Sequence, residues 1–166
     1  PESIDVAQWV KRFVDEYIQN HYIDESQLKA VSQGKHLNAM VDPQQLEQVV
    51  SCLVQNAMNH GHLPGESARI TVAARRLGET GPTVIEVLDR GPGIPAKVAE
   101  SIFEPFVTTH EHGTGLGLYI ARQLCEANQA KLEYVPMAGG SCFRLTLAHA
   151  QRLENLPGMR QSGIAR

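Results

Sequence analysis

Two glycine-bearing turns constrain this chain more than any other feature of its sequence. "DRGPGIP", residues 89–95, closes an apolar run that reads as a strand, and "GTGLGLYIARQ", residues 113–123, runs straight into an apolar-periodic helix. A turn of the second kind lets backbone N–H groups approach a phosphate, with the positive end of the helix behind them. Neither of the common phosphate loops fits it. A Walker loop needs a lysine after its last glycine, and none follows Gly117. A dinucleotide fingerprint needs G-x-G-x-x-G after a strand, whereas Gly113, Gly115 and Gly117 read G-x-G-x-G behind "TTHEH". Alone, the turn does not name a ligand.

The remaining periodicities supply a frame for the two turns. Asp5 precedes apolar residues at Val6, Trp9, Val10, Phe13, Val14, Tyr17 and Ile18, which predicts a capped helix. Strands are predicted at Gln27 to Val31 and His36 to Val41. Asp42-Pro43 then predicts the start of a second helix, from about Gln44 to Asn59. Strands follow at Arg69 to Leu77 and Val84 to Leu88, a short helix near Ala96 to Phe103, and a third long helix from Leu116 to about Asn128. Two last strands, Lys131 to Val135 and Cys142 to Leu147, are joined by "AGGS". The expected fold class is α/β: a two-layer sandwich, with helices on one face of a mixed sheet. Residues 1–150 form the expected domain, and 151–166, without a clear period, an expected mobile tail.

Composition removes several functions. Net charge is −3 and aromatics are 5% of the residues, without a basic stripe, so nucleic acid is not an expected partner. No apolar run is long enough to span a bilayer, so no membrane contact is expected of this stretch. Cys52, Cys125 and Cys142 are dispersed without a metal-ligand spacing and read as reduced thiols. The chain opens on Pro1, and it reads as a piece of a longer protein.

Three stretches then combine. "LVQNAMNH" carries Asn56 on the second helix; Asp89, with Gly91 and Gly93 behind it, ends a strand; and the Gly113–Gly117 turn opens the third helix. A carboxylate at a strand end can accept the exocyclic amino proton of adenine, where guanine would present a carbonyl and be rejected. Asn56 offers Mg²⁺ a neutral oxygen, suited to a hard cation that takes its other ligands from phosphates and water. Asn59 and His60 stand between a phosphate contact and a solvated helix face. His110 and His112 flank Glu111, but without a third ligand they read as loop residues rather than a metal site.

These motifs together resemble the ATP-binding catalytic domain of bacterial sensor histidine kinases, within the gyrase, Hsp90, histidine kinase and MutL superfamily. The family's boxes correspond to "QNAMNH", "DRGPGIP", "IFEPF" and "GTGLGLYIA", and the resemblance runs from Asp42 to Leu147. The wording is most similar to the nitrogen- and pilus-regulating sensor kinases. The resemblance implies a Bergerat-type fold with a mobile ATP lid, anchored by apolar contacts of Phe103 and Phe106. The implied nucleotide contacts also include Ile94, Thr109, His110, Thr114, Leu116 and Leu118. It further implies transfer of the γ-phosphate of Mg·ATP to a histidine on a separate dimerisation and phosphoacceptor domain, and onward transfer to a response regulator.

Two positions depart from the family. Cys52 lies one helical turn before Asn56, where the superfamily's ATPases place a glutamate that activates water; a thiol is a poor base for that step, so phosphoryl transfer is favoured over fast hydrolysis. His110 stands where many relatives carry a lid lysine. None of the seven histidines has the acceptor's setting, so the catalytic acceptor is expected outside this chain. The isolated domain is expected to be a cytoplasmic monomer, from a parent in the inner membrane. A related ATPase, an anti-sigma-type serine kinase and a degenerate nucleotide-binding module are the alternatives.

Overall fold

The computed structural model describes residues 1–106 and 116–149. Its two longest helices begin where the sequence offers caps. The Asp5 carboxylate accepts from the Gln8 amide at 3.1 Å at the head of α1 (Val6–His21). Asp42 accepts from the amides of Gln44 and Gln45 at 2.9 and 3.2 Å at the head of α2 (Pro43–His60), where Pro43 fills a first-turn position that has no use for an N–H. Leu46, Val49, Val50, Leu53, Val54 and Ala57 are the buried stripe of α2. Each of the larger side chains contributes about 1.5–3 kcal/mol by leaving water. The short α3 (Ala96–Ala99) stops before Phe103 because it has neither a side-chain cap nor a buried face. Helix α4 spans Gly117–Ala127.

The first four-residue strand, β1 (Glu2–Asp5), is absent from the sequence expectation. "ESID" lacks a strand pattern of its own, and its extended form comes from antiparallel pairing with β3 (Asn38–Val41). That strand starts two residues later than expected because His36 takes a left-handed φ of 57°. The main sheet contains β2 (Leu28–Ser32), β4 (Ile70–Arg76), β5 (Thr83–Asp89), β6 (Lys131–Met137) and β7 (Gly140–Thr146), in the order β2-β4-β5-β7-β6. Only β2 and β4 pair in parallel, so the sheet is mixed as expected.

Alternation along the strands separates the two faces. Ile70, Val72, Ala74, Ile85, Val87, Phe143 and Leu145 enter one core with the helices. The opposite face carries Glu86 between two arginines: Arg75 Nε lies 2.6 Å from Oε1, and Arg144 Nη2 lies 3.1 Å from Oε2. Burial pushes the Glu86 carboxyl up, but hydrogen bonds from Arg75, Arg144 and Cys142 outweigh it and hold the group below the usual carboxylate range. The helices thus lie on one sheet face.

One buried side chain ties α2 to α4. Asn128, 8% exposed, accepts from the Asp42 amide at 2.9 Å and donates to Gln45 Oε1 and the Leu124 carbonyl. The start of α2 and the end of α4 are therefore fixed to each other, and the far end of α2 reaches the Asp89–Ile94 turn. Among the described residues, no helix is long and apolar enough to cross a membrane.

Candidate nucleotide-binding site

Strand β5 delivers Asp89 to the edge of the core, and backbone amides then fix its side chain. Oδ1 accepts from Gly91 N–H and from Ser141 N–H, each at 3.0 Å. No described residue donates to Oδ2. Burial raises the carboxyl above its ordinary value, and the two amides offset only part of that shift. The result is a pinned acceptor whose second oxygen is not engaged by any described residue.

Three glycines make this approach sterically possible. A Cβ at Gly61, the residue that ends α2, would stand 2.7 Å from Asp89 Cβ and Cγ. One at Gly91 would meet the Gly61 backbone at 2.7 Å, and one at Gly140 would fall 1.9 Å from the Asp89 carbonyl oxygen. Any side chain at these positions would push the turn away from the helix end or from β7. Gly93 follows with a φ of 80°, which returns the chain so that Ile94 N–H donates to the Tyr134 hydroxyl at 3.1 Å.

Helix α2 links this pocket to the start of α4. At one end Gly61 packs on Asp89; nine residues earlier, Cys52 Sγ lies 3.2 Å from where a Gly117 Cβ would be. Asn56 is half-buried between them, one turn from Cys52. From 52 to 61 the helix rises about 13 Å. Burial pushes the Cys52 thiol up, so it stays protonated and cannot serve as a base near neutral pH.

The remaining expected site residues divide. Asn59 and His60 are exposed on the last turn of α2. Leu116 and Leu118 are half-buried, and Leu118 packs against the core. Phe103 meets Phe143 edge-on at 6.1 Å, and the Arg122 guanidinium sits 5.6 Å above its ring. Phe106 corrects the expectation of a second anchor: it is 74% exposed, on a left-handed backbone (φ 66°) that turns its ring into solvent. Thr109, His110, Gly113, Thr114 and Gly115 lie outside the described residues. Among the described residues, no cluster of three histidine, cysteine or acidic side chains could hold a metal. Sequence reasoning missed Gly61, Tyr134, Gly140 and Ser141, which act through backbone or hydroxyl contacts that carry no motif.

Comparisons with known proteins show the family of the chain. The family described as histidine kinase-, DNA gyrase B- and HSP90-like ATPase matches residues 41–151, a span that includes Asn56, Asp89, Gly113, Gly115 and Gly117. The chain belongs to this ATPase family. Among its relatives, the sensor protein kinase PilS of Pseudomonas aeruginosa is 42% identical over 154 residues, covering 92% of this chain and 29% of PilS. The sensory histidine kinase/phosphatase NtrB of Klebsiella oxytoca is 38% identical over 112 residues, covering 64% of this chain and 32% of NtrB. The chain thus spans under a third of either relative. Among solved structures, the catalytic domain of histidine kinase ThkA superposes with a TM-score of 0.70 at 26% identity, covering 89% of this chain and 94% of that one. The sensor histidine kinases expected from the motif wording are present among these relatives. Of the expected site residues, Asn56 lies on α2, Asp89 at the end of β5 and Gly117 at the start of α4.

Proposed function

We propose that the domain binds Mg·ATP and presents its γ-phosphate to a histidine on a separate dimerisation and phosphoacceptor domain, the phosphate passing on to a response regulator. The observation that carries the adenine end is the Asp89 carboxylate, with Oδ1 held by two amides and Oδ2 left for an exocyclic amine. An acceptor of this kind pairs with adenine and opposes the guanine carbonyl. Asn56, midway along α2, is suited to give Mg²⁺ its protein oxygen, and the metal would supply charge neutralisation between the phosphates.

The chain's own part in the reaction is positioning and exclusion. The glycine cradle brings backbone against Asp89 and fixes it, and the protonated Cys52 leaves no water-activating group at the ATPase position, which favours transfer over hydrolysis. Three free cysteines suit the reducing cytoplasm, where ATP is found. We place the domain there as a monomer, residues 1–150, carried by a parent protein in the inner membrane.

Calorimetric titration of ADP and a non-hydrolysable ATP analogue, with and without Mg²⁺, tests the binding half. Magnesium-dependent affinity that disappears in Asn56→Ala supports the assignment, and absence of nucleotide binding by the wild type refutes it. Labelled ATP mixed with the domain and an acceptor domain in trans tests the kinase half. Label on the acceptor histidine is expected, and ATP loss as free phosphate without label would favour an ATPase.

A further inference from the structure

The β6–β7 hairpin carries none of the nucleotide-binding motifs, yet it holds the Asp89–Ile94 turn at three points. Ser141 N–H donates to Asp89 Oδ1 at 3.0 Å, and the Tyr134 hydroxyl accepts from Ile94 N–H at 3.1 Å. Gly140 approaches so closely that a Cβ there would lie 1.9 Å from the Asp89 carbonyl oxygen and 3.3 Å from Arg90 Cα. The hairpin is itself fixed. Asp89 pairs in register with Ser141 at the end of the β5–β7 ladder, and Tyr134 packs at 5.5 Å on Phe143, the ring that also receives Phe103.

These contacts govern more than folding. Oδ1 has one amide partner from its own turn and one from the hairpin, so the carboxylate cannot rotate without breaking a bond. Oδ2 therefore points in one direction. A carboxylate free to swing would tolerate a water bridging it to a purine carbonyl; a held one discriminates against that base. We infer that the β6–β7 hairpin sets the base selectivity of the site, with Tyr134, Gly140 and Ser141 as positioning residues that aim Asp89 Oδ2. The inference deepens the adenine reading above and rests on it.

The test compares ADP with inosine 5′-diphosphate, which lacks the exocyclic amine, by calorimetry on the 166-residue chain and on Tyr134→Phe. The substitution removes the hydroxyl that receives the Ile94 amide and keeps the ring on Phe143. ADP affinity is expected to fall about fivefold, the usual worth of one hydrogen bond, with inosine diphosphate affinity unchanged. The ratio between the two ligands thus narrows, a change that general loosening of the fold would not produce. Equal losses for both ligands, or an unaltered ratio, would overturn the inference. Gly140→Ala is the second variant, with a larger narrowing expected; should it fail to fold, Tyr134→Phe decides alone. A wild type that binds both ligands equally would instead refute the adenine reading, a separate and recognisable outcome.

Discussion

Replacing Asp89 by asparagine separates recognition from folding at one atom. In Asp89→Asn the amide oxygen can still accept from Gly91 and Ser141 N–H, the two bonds measured at 3.0 Å, so the turn keeps its geometry. The change falls on the other position, where Oδ2 becomes an NH₂ group. That donor would face the exocyclic amine of adenine, itself a donor. Loss of one charge-assisted hydrogen bond and the creation of an opposed pair cost about 1–3 kcal/mol. Expressed as affinity, this is roughly a 5- to 150-fold rise in the ADP dissociation constant. Stability should move the opposite way. The folded-state pKa of Asp89 is raised, mainly by burial, so its contribution is fully present below the unfolded aspartate pKa and is lost as pH rises through the folded value. At neutral pH the ionised side chain is therefore a destabilising element, and the neutral amide escapes that cost. Calorimetric titration with ADP and thermal melting at pH 7 check both halves. Unchanged ADP affinity would remove Asp89 from the base pocket, and a large loss of stability would show that Oδ1 is not the atom the backbone holds.

Four further substitutions follow from the packing. Phe103→Ala, which loses the Phe143 and Arg122 contacts, is expected to destabilise by about 2–3 kcal/mol in denaturant titration, whereas the exposed Phe106→Ala should stay within about 0.5 kcal/mol. Asn128→Ala strands the Asp42 amide and the Leu124 carbonyl, costing about 2–3 kcal/mol, and the melting temperature should fall by about 2–4 °C per kcal/mol. Glu86 has a lowered folded pKa, so its stabilisation is present above the unfolded glutamate pKa and is lost as pH falls through the folded one. Glu86→Gln should accordingly flatten the acid limb of a stability–pH curve, and an unaltered limb would contradict the arginine clamp.

Much of this protein was legible locally, because the physics that decides it is local. Asp5 and Asp42 cap helices through side chains that reach amides two or three residues away. The alternation in β4 and the stripe on α2 assign faces by period alone. The four motif stretches, in their order, identified the family, since each needs its residue types at fixed spacing. Asn56 and Asp89 belong to that group.

Other features exist only through distant contact. β1 is a strand because β3 pairs with it, not because "ESID" prefers to be extended. Phe103 and Phe106, three residues apart and alike in sequence, separate because Phe143 and Arg122 receive only one of them. Gly61 reads as an ordinary helix end, and Ser141 as part of a turn. Their roles appear only when β7 pairs with β5 and the end of α2 comes to rest against Asp89. The sequence by itself determined which chemical groups could meet a nucleotide, through spacing and caps that act over a few residues. How the Asp89 carboxylate is aimed was decided by tertiary structure, because the Ser141 amide and the glycines Gly61 and Gly140 that close on it, beside the local Gly91 amide, come from elements 28 residues before and about 52 residues after it in the chain.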